Sequence, residues 1–263
     1  MSIYEGRVYN MRCRSAGSAV ASHLHKDIVV GETVYLVPGL LCDAVVWAHQ
    51  HAALSADHEV RIPDMTRHAS IRAMAAAILA DAPARFSIAG HSMGARVALE
   101  VLAQAPDRVA RIALLDTGVH PATPEEPAQR QRLLDVSAGS GMRALADLWL
   151  PPMVKEGALD ADPVLRDTLY AMVDRMSPQI HHRQIAALLG RPDARAMLSA
   201  IACPALVGVG EQDRWSPPAQ HAAIAAEVPH AHYVVFADSG HMAPMEAVGA
   251  VTGALRQWLG QSF

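Results

Sequence analysis

Only three cysteines, Cys13, Cys42 and Cys203, occur in 263 residues, odd in number and widely separated. That pattern excludes a disulfide scaffold and fits a reducing compartment. No run approaches the roughly 20 uninterrupted apolar residues that a membrane span requires. Met1 to Lys26 is interrupted by Glu5, Arg7, Arg12 and Arg14, without the apolar core of a signal peptide. The expectation is a cytoplasmic protein with no membrane contact. Charge is sparse too, at 18% of residues with a formal net charge of −4. Basic residues form no stripe, which argues against nucleic acid as a partner. No internal repeat or low-complexity linker is present, and half the residues are hydrophobic, so a fibrous or disordered chain is excluded. The fourteen histidines include the pairs His23-Leu24-His25, His49-Gln50-His51 and His230-Ala231-His232, but no HExxH or cysteine-rich ligand set accompanies them. They read as surface histidines, and neither a metal nor a cofactor is expected.

What is present is an alternation. Thr33–Val37 is a compact β-branched run ended by Pro38-Gly39, followed by helical apolar spacing over Ala44–Ala56. His58–Ile62 reads as a strand, and Ser70–Leu79 as a helix with Ser70 as its cap. Arg85–Ala89 is a strand that runs into Gly90-His91-Ser92-Met93-Gly94 and at once into a helix ending near Pro106. Val109–Leu115, Ala205–Gly210 and His232–Ala237 are further strands, and Val248–Leu259 is a closing amphipathic helix. Strands alternating with helices predict an α/β fold with a mostly parallel sheet covered on both faces. The segment 120–198 breaks the rhythm, with helical stretches at Arg130–Val136, Met142–Leu150, Pro163–Met176 and His181–Leu189. It is expected to be a helical cap inserted into a core made of 1–119 and 199–263. Residues 1–30 carry no readable pattern.

The chemistry gathers at strand ends. Gly90-His91-Ser92-Met93-Gly94 fits G-x-S-x-G, and its position between a strand and a helix is the context that motif needs. The glycines let the chain turn tightly enough to lift the hydroxyl clear of the sheet, at a helix N-terminus facing developing negative charge. A serine hydroxyl needs a base, and the base needs a third group to fix its tautomer. Asp213, in Gly210-Glu211-Gln212-Asp213, and His241, in Asp238-Ser239-Gly240-His241, each follow a strand at the same sheet edge as Ser92. Ligands gather at that edge in open α/β sheets. Asp116 follows a strand at this edge as well and is the rival acid; Asp238 is close in sequence to His241 for that role. The expected oxyanion donors are the backbone N–H groups of Met93 and of Leu40, in the loop after Pro38-Gly39. Cys42, without a base motif, reads as a packing residue.

These segments resemble the α/β-hydrolase superfamily from about Val34 to Leu259. The resemblance is carried by LVPGLLCDAVVW, GHSMGARVALE, RIALLDTG, ACPALVGVGEQDRWSPP and SGHMAPME. It implies that fold, a helical lid over the site as in small esterase-like members, and the triad Ser92, Asp213 and His241. Pro38 stands where many relatives have histidine, and Ala95 where many have a second glycine. The superfamily also holds lyases, cofactor-free oxygenases and non-catalytic receptors, so fold alone does not fix the reaction. The expected activity is hydrolysis of a small-molecule carboxylic ester of a small to medium apolar acid through an acyl-enzyme. C–C bond or lactone hydrolysis, or small-molecule binding without catalysis, are the alternatives. Leu41, Trp149 and Trp215 are expected to line an apolar acyl pocket that accepts charged groups such as succinyl poorly.

Overall fold

The computed structural model describes residues 31–260; Cys13 and the His23–His25 pair lie outside the described residues. In chain order the elements are β1 (Gly31–Val37), α1 (Ala48–Leu54), β2 (His58–Arg61), α2 (Ile71–Asp81), β3 (Phe86–His91), α3 (Met93–Gln104) and β4 (Val109–Leu115). Then come α4 (Glu126–Trp149), α5 (Ala158–Ala161), α6 (Pro163–Asp174), α7 (Pro178–Leu189), β5 (Ala205–Gly210), α8 (Pro218–Glu227), β6 (His232–Phe236), α9 (Ala243–Glu246) and α10 (Val248–Leu259). The six strands form one sheet in the order β2-β1-β3-β4-β5-β6, every neighbouring pair parallel. Residues of β3 and β5 are buried throughout, as central strands covered on both faces must be. Helix α3 packs on α2 and lies along β3 and β4, while α10 packs on α1 and reaches β4, β5 and β6.

Local chemistry sets the element ends. The Ser70 side chain accepts from Ala73 N and starts α2. The expected single helix over 44–56 is two pieces, because the Asp43 carboxylate accepts from Val45 N and begins a 3₁₀ turn, Ala44–Trp47, ahead of α1. The expected helices at 130–136 and 142–150 belong to one helical run, α4, broken where Gly141 takes φ 86°. The last helix of that region starts earlier than its apolar spacing suggests, since Ser177 caps Ile180 N and Pro178 occupies the first turn. Among the described residues no strand lies between β4 and β5 in sequence, and α4 through α7 fill that stretch.

Four of the five described non-glycine residues with positive φ stand at one edge; the fifth, His230, precedes β6. Leu41, Ser92, Asp116 and Asp238 all have φ between 50° and 56°, and they follow β1, β3, β4 and β6 respectively. Non-glycine residues in this left-handed region are uncommon and cluster at functional sites.

Candidate active site

Ser92 sits in the one-residue turn between β3 and α3, with φ 55° and ψ −116°. The turn can be this tight only with glycine on either side. A Cβ on Gly90 would strike the backbone of Gly94 and Ala95, and one on Gly94 would strike the carbonyls of Val37 and Pro38. The ladder also holds the turn, since Ser92 N donates to Leu115 O at 2.8 Å. Thr117 Oγ1 donates to Ser92 O at 2.9 Å.

Ser92, His241 and Asp213 form one hydrogen-bonded chain. His241 Nε2 lies 2.8 Å from Ser92 Oγ, and His241 Nδ1 lies 2.8 Å from Asp213 Oδ2. A carboxylate only accepts, so the imidazole carries its proton on Nδ1 and turns the Nε2 lone pair to the serine hydroxyl. Asp213 accepts from Trp215 N and Ser216 N on Oδ1, at 2.8 and 2.9 Å, and from Ser216 Oγ on Oδ2 at 2.9 Å. Burial pushes this carboxyl up, but the hydrogen bonds from His241 and Ser216 outweigh it and hold it below the usual range. The loop bearing His241 is clamped by Glu246, which accepts from Gly240 N at 3.0 Å and from Lys155 N at 2.7 Å. His91 Nε2 donates to His241 O at 2.7 Å, and burial lowers its pKa to about 3, so its ring is neutral.

Asp116 stands on the wall of the same site, next to Asp213 but not bonded to His241. It is fully buried, accepts from Gly210 N at 2.8 Å on Oδ1, and has no partner for Oδ2. Burial and the neighbouring Asp213 charge raise its pKa well above the ordinary value. Asp238, exposed, pairs with Lys155 at 2.5 Å. Cys42 is buried, and its thiol is pushed up to about 12 by burial and by Asp43. Such a thiol is no nucleophile.

A cavity of about 270 Å³ opens over Ser92 and His241, lined also by Leu40, Met93, Trp149 and Trp215. Leu41 is not on its surface. It is fully buried, with its N–H donating to Gln184 Oε1 at 2.8 Å, which corrects the expectation that it lines the pocket. The cavity is not apolar either, because Arg96, Glu126, Arg130 and Arg191 share its walls. Among the described residues no protein acceptor stands against the N–H of Leu40 or Met93. The sequence reading missed Ser216, Glu246 and the three arginines. Only Arg96 had a signal, four residues beyond the nucleophile on the same helix.

A sheet order with one reversal, a strained serine between β3 and α3, and a histidine and an aspartate hydrogen-bonded to it in series after β6 and β5 have the layout of an α/β hydrolase. The chain belongs to the alpha/beta hydrolase family, whose model matches residues 15–253. It is 30% identical over 249 residues to the dihydrolipoyllysine-residue acetyltransferase component of an acetoin cleaving system from Pseudomonas putida. That match covers 87% of this chain and 64% of the relative, so the chain spans about two thirds of that protein's length. Its fold is similar to that of a thermophilic esterase from Thermogutta terrifontis solved with malate bound. The TM-score there is 0.80 at 28% identity, covering 88% of this chain and 90% of the esterase. An enol-lactonase from Burkholderia xenovorans LB400 matches with a TM-score of 0.80 at 27% identity, over 88% of this chain and 92% of that one. Among the described residues no helix is long and apolar enough to cross a membrane.

Proposed function

We propose that this hydrolase cleaves small carboxylic esters through an acyl-enzyme on Ser92. The observation that carries the reading is the unbroken chain from Ser92 Oγ through His241 to Asp213, with 2.8 Å at each step, beside a cavity. Ser92 Oγ attacks the carbonyl carbon while His241 Nε2 takes its proton, and Asp213 stabilises the imidazolium that forms. The oxyanion is held by the N–H groups of Leu40 and Met93, whose nitrogens have no acceptor of their own among the described residues. The imidazolium then protonates the leaving alcohol, and water, deprotonated by the same nitrogen, releases the acid and restores Ser92. Residues 120–198 serve as the cap: His120, Glu126, Arg130, Trp149 and Arg191 reach the cavity from that segment. At about 270 Å³ the cavity lies at the small end of ligand sites, which favours a short acyl group.

Lactone hydrolysis is the second reading, favoured by the likeness to the enol-lactonase, since a lactone is an ester whose leaving group stays attached. Both need the same serine. Fluorophosphonate labelling with peptide mapping should find Ser92 alone, and an ester, lactone and diketone panel should show turnover that Ser92→Ala abolishes. Label on another serine, or turnover equal in Ser92→Ala, would overturn the reading. Binding of panel compounds without turnover would make the chain a receptor on this scaffold.

A further inference from the structure

Three guanidiniums, those of Arg96, Arg130 and Arg191, share the cavity with Ser92. One ionised carboxylate faces them: Glu126 bridges Arg130 at 3.0 Å and Arg191 at 2.7 Å. Asp116, the other acid on the wall, is fully buried, and burial raises its pKa. Arg191 is saturated within the protein, donating to the carbonyls of His120, Pro121 and Leu188 as well. Arg130 lies 5.1 Å from the centroid of Trp215, whose half-exposed ring marks the mouth.

Arg96 is different. Its Nη1 donates to His120 O at 2.9 Å, and among the described residues no carboxylate lies within ion-pairing distance of it. It stands in the first turn of α3, one turn beyond Ser92, where the helix dipole also disfavours a cation. Burial, then the Arg191 charge, pulls its pKa down to about 9, with the more distant Glu126 charge opposing the shift. Its Nη2 faces the bare backbone of Gly118. A Cβ there would come within 3.0 Å of Arg96 Nη2 and 2.6 Å of Gln220 Nε2. His120 Cε1 crowds the same corner at 2.9 Å and Gln220 Nε2 already donates to Thr117 O at 3.0 Å, so the donor left for a ligand on this part of the cavity wall is the Arg96 guanidinium. Burying a cation without a counter-charge is costly, and the cost is removed by an anion that arrives with the substrate.

We infer that the acyl part of the substrate carries a carboxylate a few carbons from the scissile carbonyl, held by Arg96. The inference rests on the hydrolase reading above and deepens it from small esters to half-esters or lactones of diacids. It reverses the preference expected from the sequence, because a guanidinium binds carboxylate through parallel N–H bonds that a methyl ester cannot match. Leaving the acyl side anchored while the alcohol departs through the mouth also suits an acyl-enzyme.

The test compares nitrophenyl succinate, glutarate and adipate half-esters with the same compounds capped as methyl esters. Wild-type kcat/KM should favour the best anionic ester by about 30-fold, the scale of one charged hydrogen-bonded anchor. Arg96→Gln should collapse the anionic-to-capped ratio towards one, and Arg96→Lys should restore part of it. Arg67→Gln, a change at an exposed arginine, should leave the ratio alone. In parallel, Ser92→Ala protein titrated calorimetrically with glutarate should bind it, and the Ser92→Ala/Arg96→Gln protein should not, both having matched thermal melts. Preference for the capped esters, or an anionic preference that survives Arg96→Gln, would overturn the inference while leaving the hydrolase reading intact. If no ester turns over, the hydrolase reading fails, and glutarate binding that depends on Arg96 still decides the anchor.

Discussion

The carboxylate that orients His241 gives the sharpest prediction. Asp213 accepts four hydrogen bonds and donates none: two from the backbone of Trp215 and Ser216 on Oδ1, two from Ser216 Oγ and His241 Nδ1 on Oδ2. In Asp213→Asn one oxygen becomes an NH₂. Backbone N–H groups cannot reverse their polarity, so the amide oxygen stays on the Oδ1 side and the NH₂ turns to His241. The imidazole must then move its proton to Nε2, and the lone pair that faced Ser92 Oγ is gone. Loss of an orienting carboxylate in a serine triad lowers kcat roughly 10³–10⁴-fold, or about 4–5.5 kcal/mol of barrier. Asp116→Asn should behave oppositely. That carboxyl has its pKa raised by burial, accepts only from Gly210 N, and sits at φ 50°, which asparagine tolerates. Activity should stay within about threefold, below 1 kcal/mol. Stability should rise relative to wild type above pH 3.8, because the unfolded chain ionises Asp116 there while the fold does not. The gap grows by about 1.4 kcal/mol per pH unit until the raised value is passed. Single-turnover kinetics and denaturant melts from pH 4 to 8 decide both. A crippled Asp116→Asn beside an active Asp213→Asn would mean that the acid stands on β4.

Ser216→Ala removes one bond to Asp213 Oδ2 and should lower kcat about tenfold, with kcat/KM falling equally for all esters. A smaller effect than that of Trp149→Ala on the same esters would deny it a positioning role. Glu126, bridged by two arginines, titrates at about 2 in the fold against an ordinary 4.5; burial opposes that shift and the arginines overcome it. Its contribution to stability is complete above pH 4.5 and lost as pH falls from 4.5 towards 2, so the melting difference between wild type and Glu126→Gln should narrow across that window. In a p-nitrophenyl series from acetate to octanoate, the small cavity should make octanoate the poorest substrate, and Trp149→Ala should move the cut-off to longer chains.

Much of this was legible because local rules act locally. The six strands stand within a residue or two of where β-branched runs and Pro-Gly or Asp-Thr-Gly stops place them. The elbow was legible for the same reason: Gly90 and Gly94 are required by backbone approach within a few residues of Ser92. His241 and Asp213 could be assigned to the edge of the nucleophile because parallel strands send all their carboxyl ends one way. Their hydrogen-bonding distances could not, since those depend on Ser216 and Glu246, whose roles exist only when the two loops meet.

The cavity was misread for a physical reason that pattern reasoning does not reach. Leu145, Trp149, Leu150 and Met153 do form an apolar segment, but most of it is consumed in packing, with Leu145 and Leu150 fully buried. Hydrophobic residues satisfy themselves against one another, so an apolar stretch announces a core sooner than a pocket. Arginines at positions 96, 130 and 191 look in sequence like solvated charges on three separate helices or loops. Only the fold shows that Arg130 and Arg191 share Glu126 while Arg96, on the helix that presents Ser92, has no carboxylate within ion-pairing distance among the described residues. The selectivity proposed for this site therefore rests on charges distant in sequence. The scaffold and the serine elbow were written in contiguous motifs; the anchor proposed for the substrate was not, because it rests on a guanidinium whose surroundings only the fold assembles.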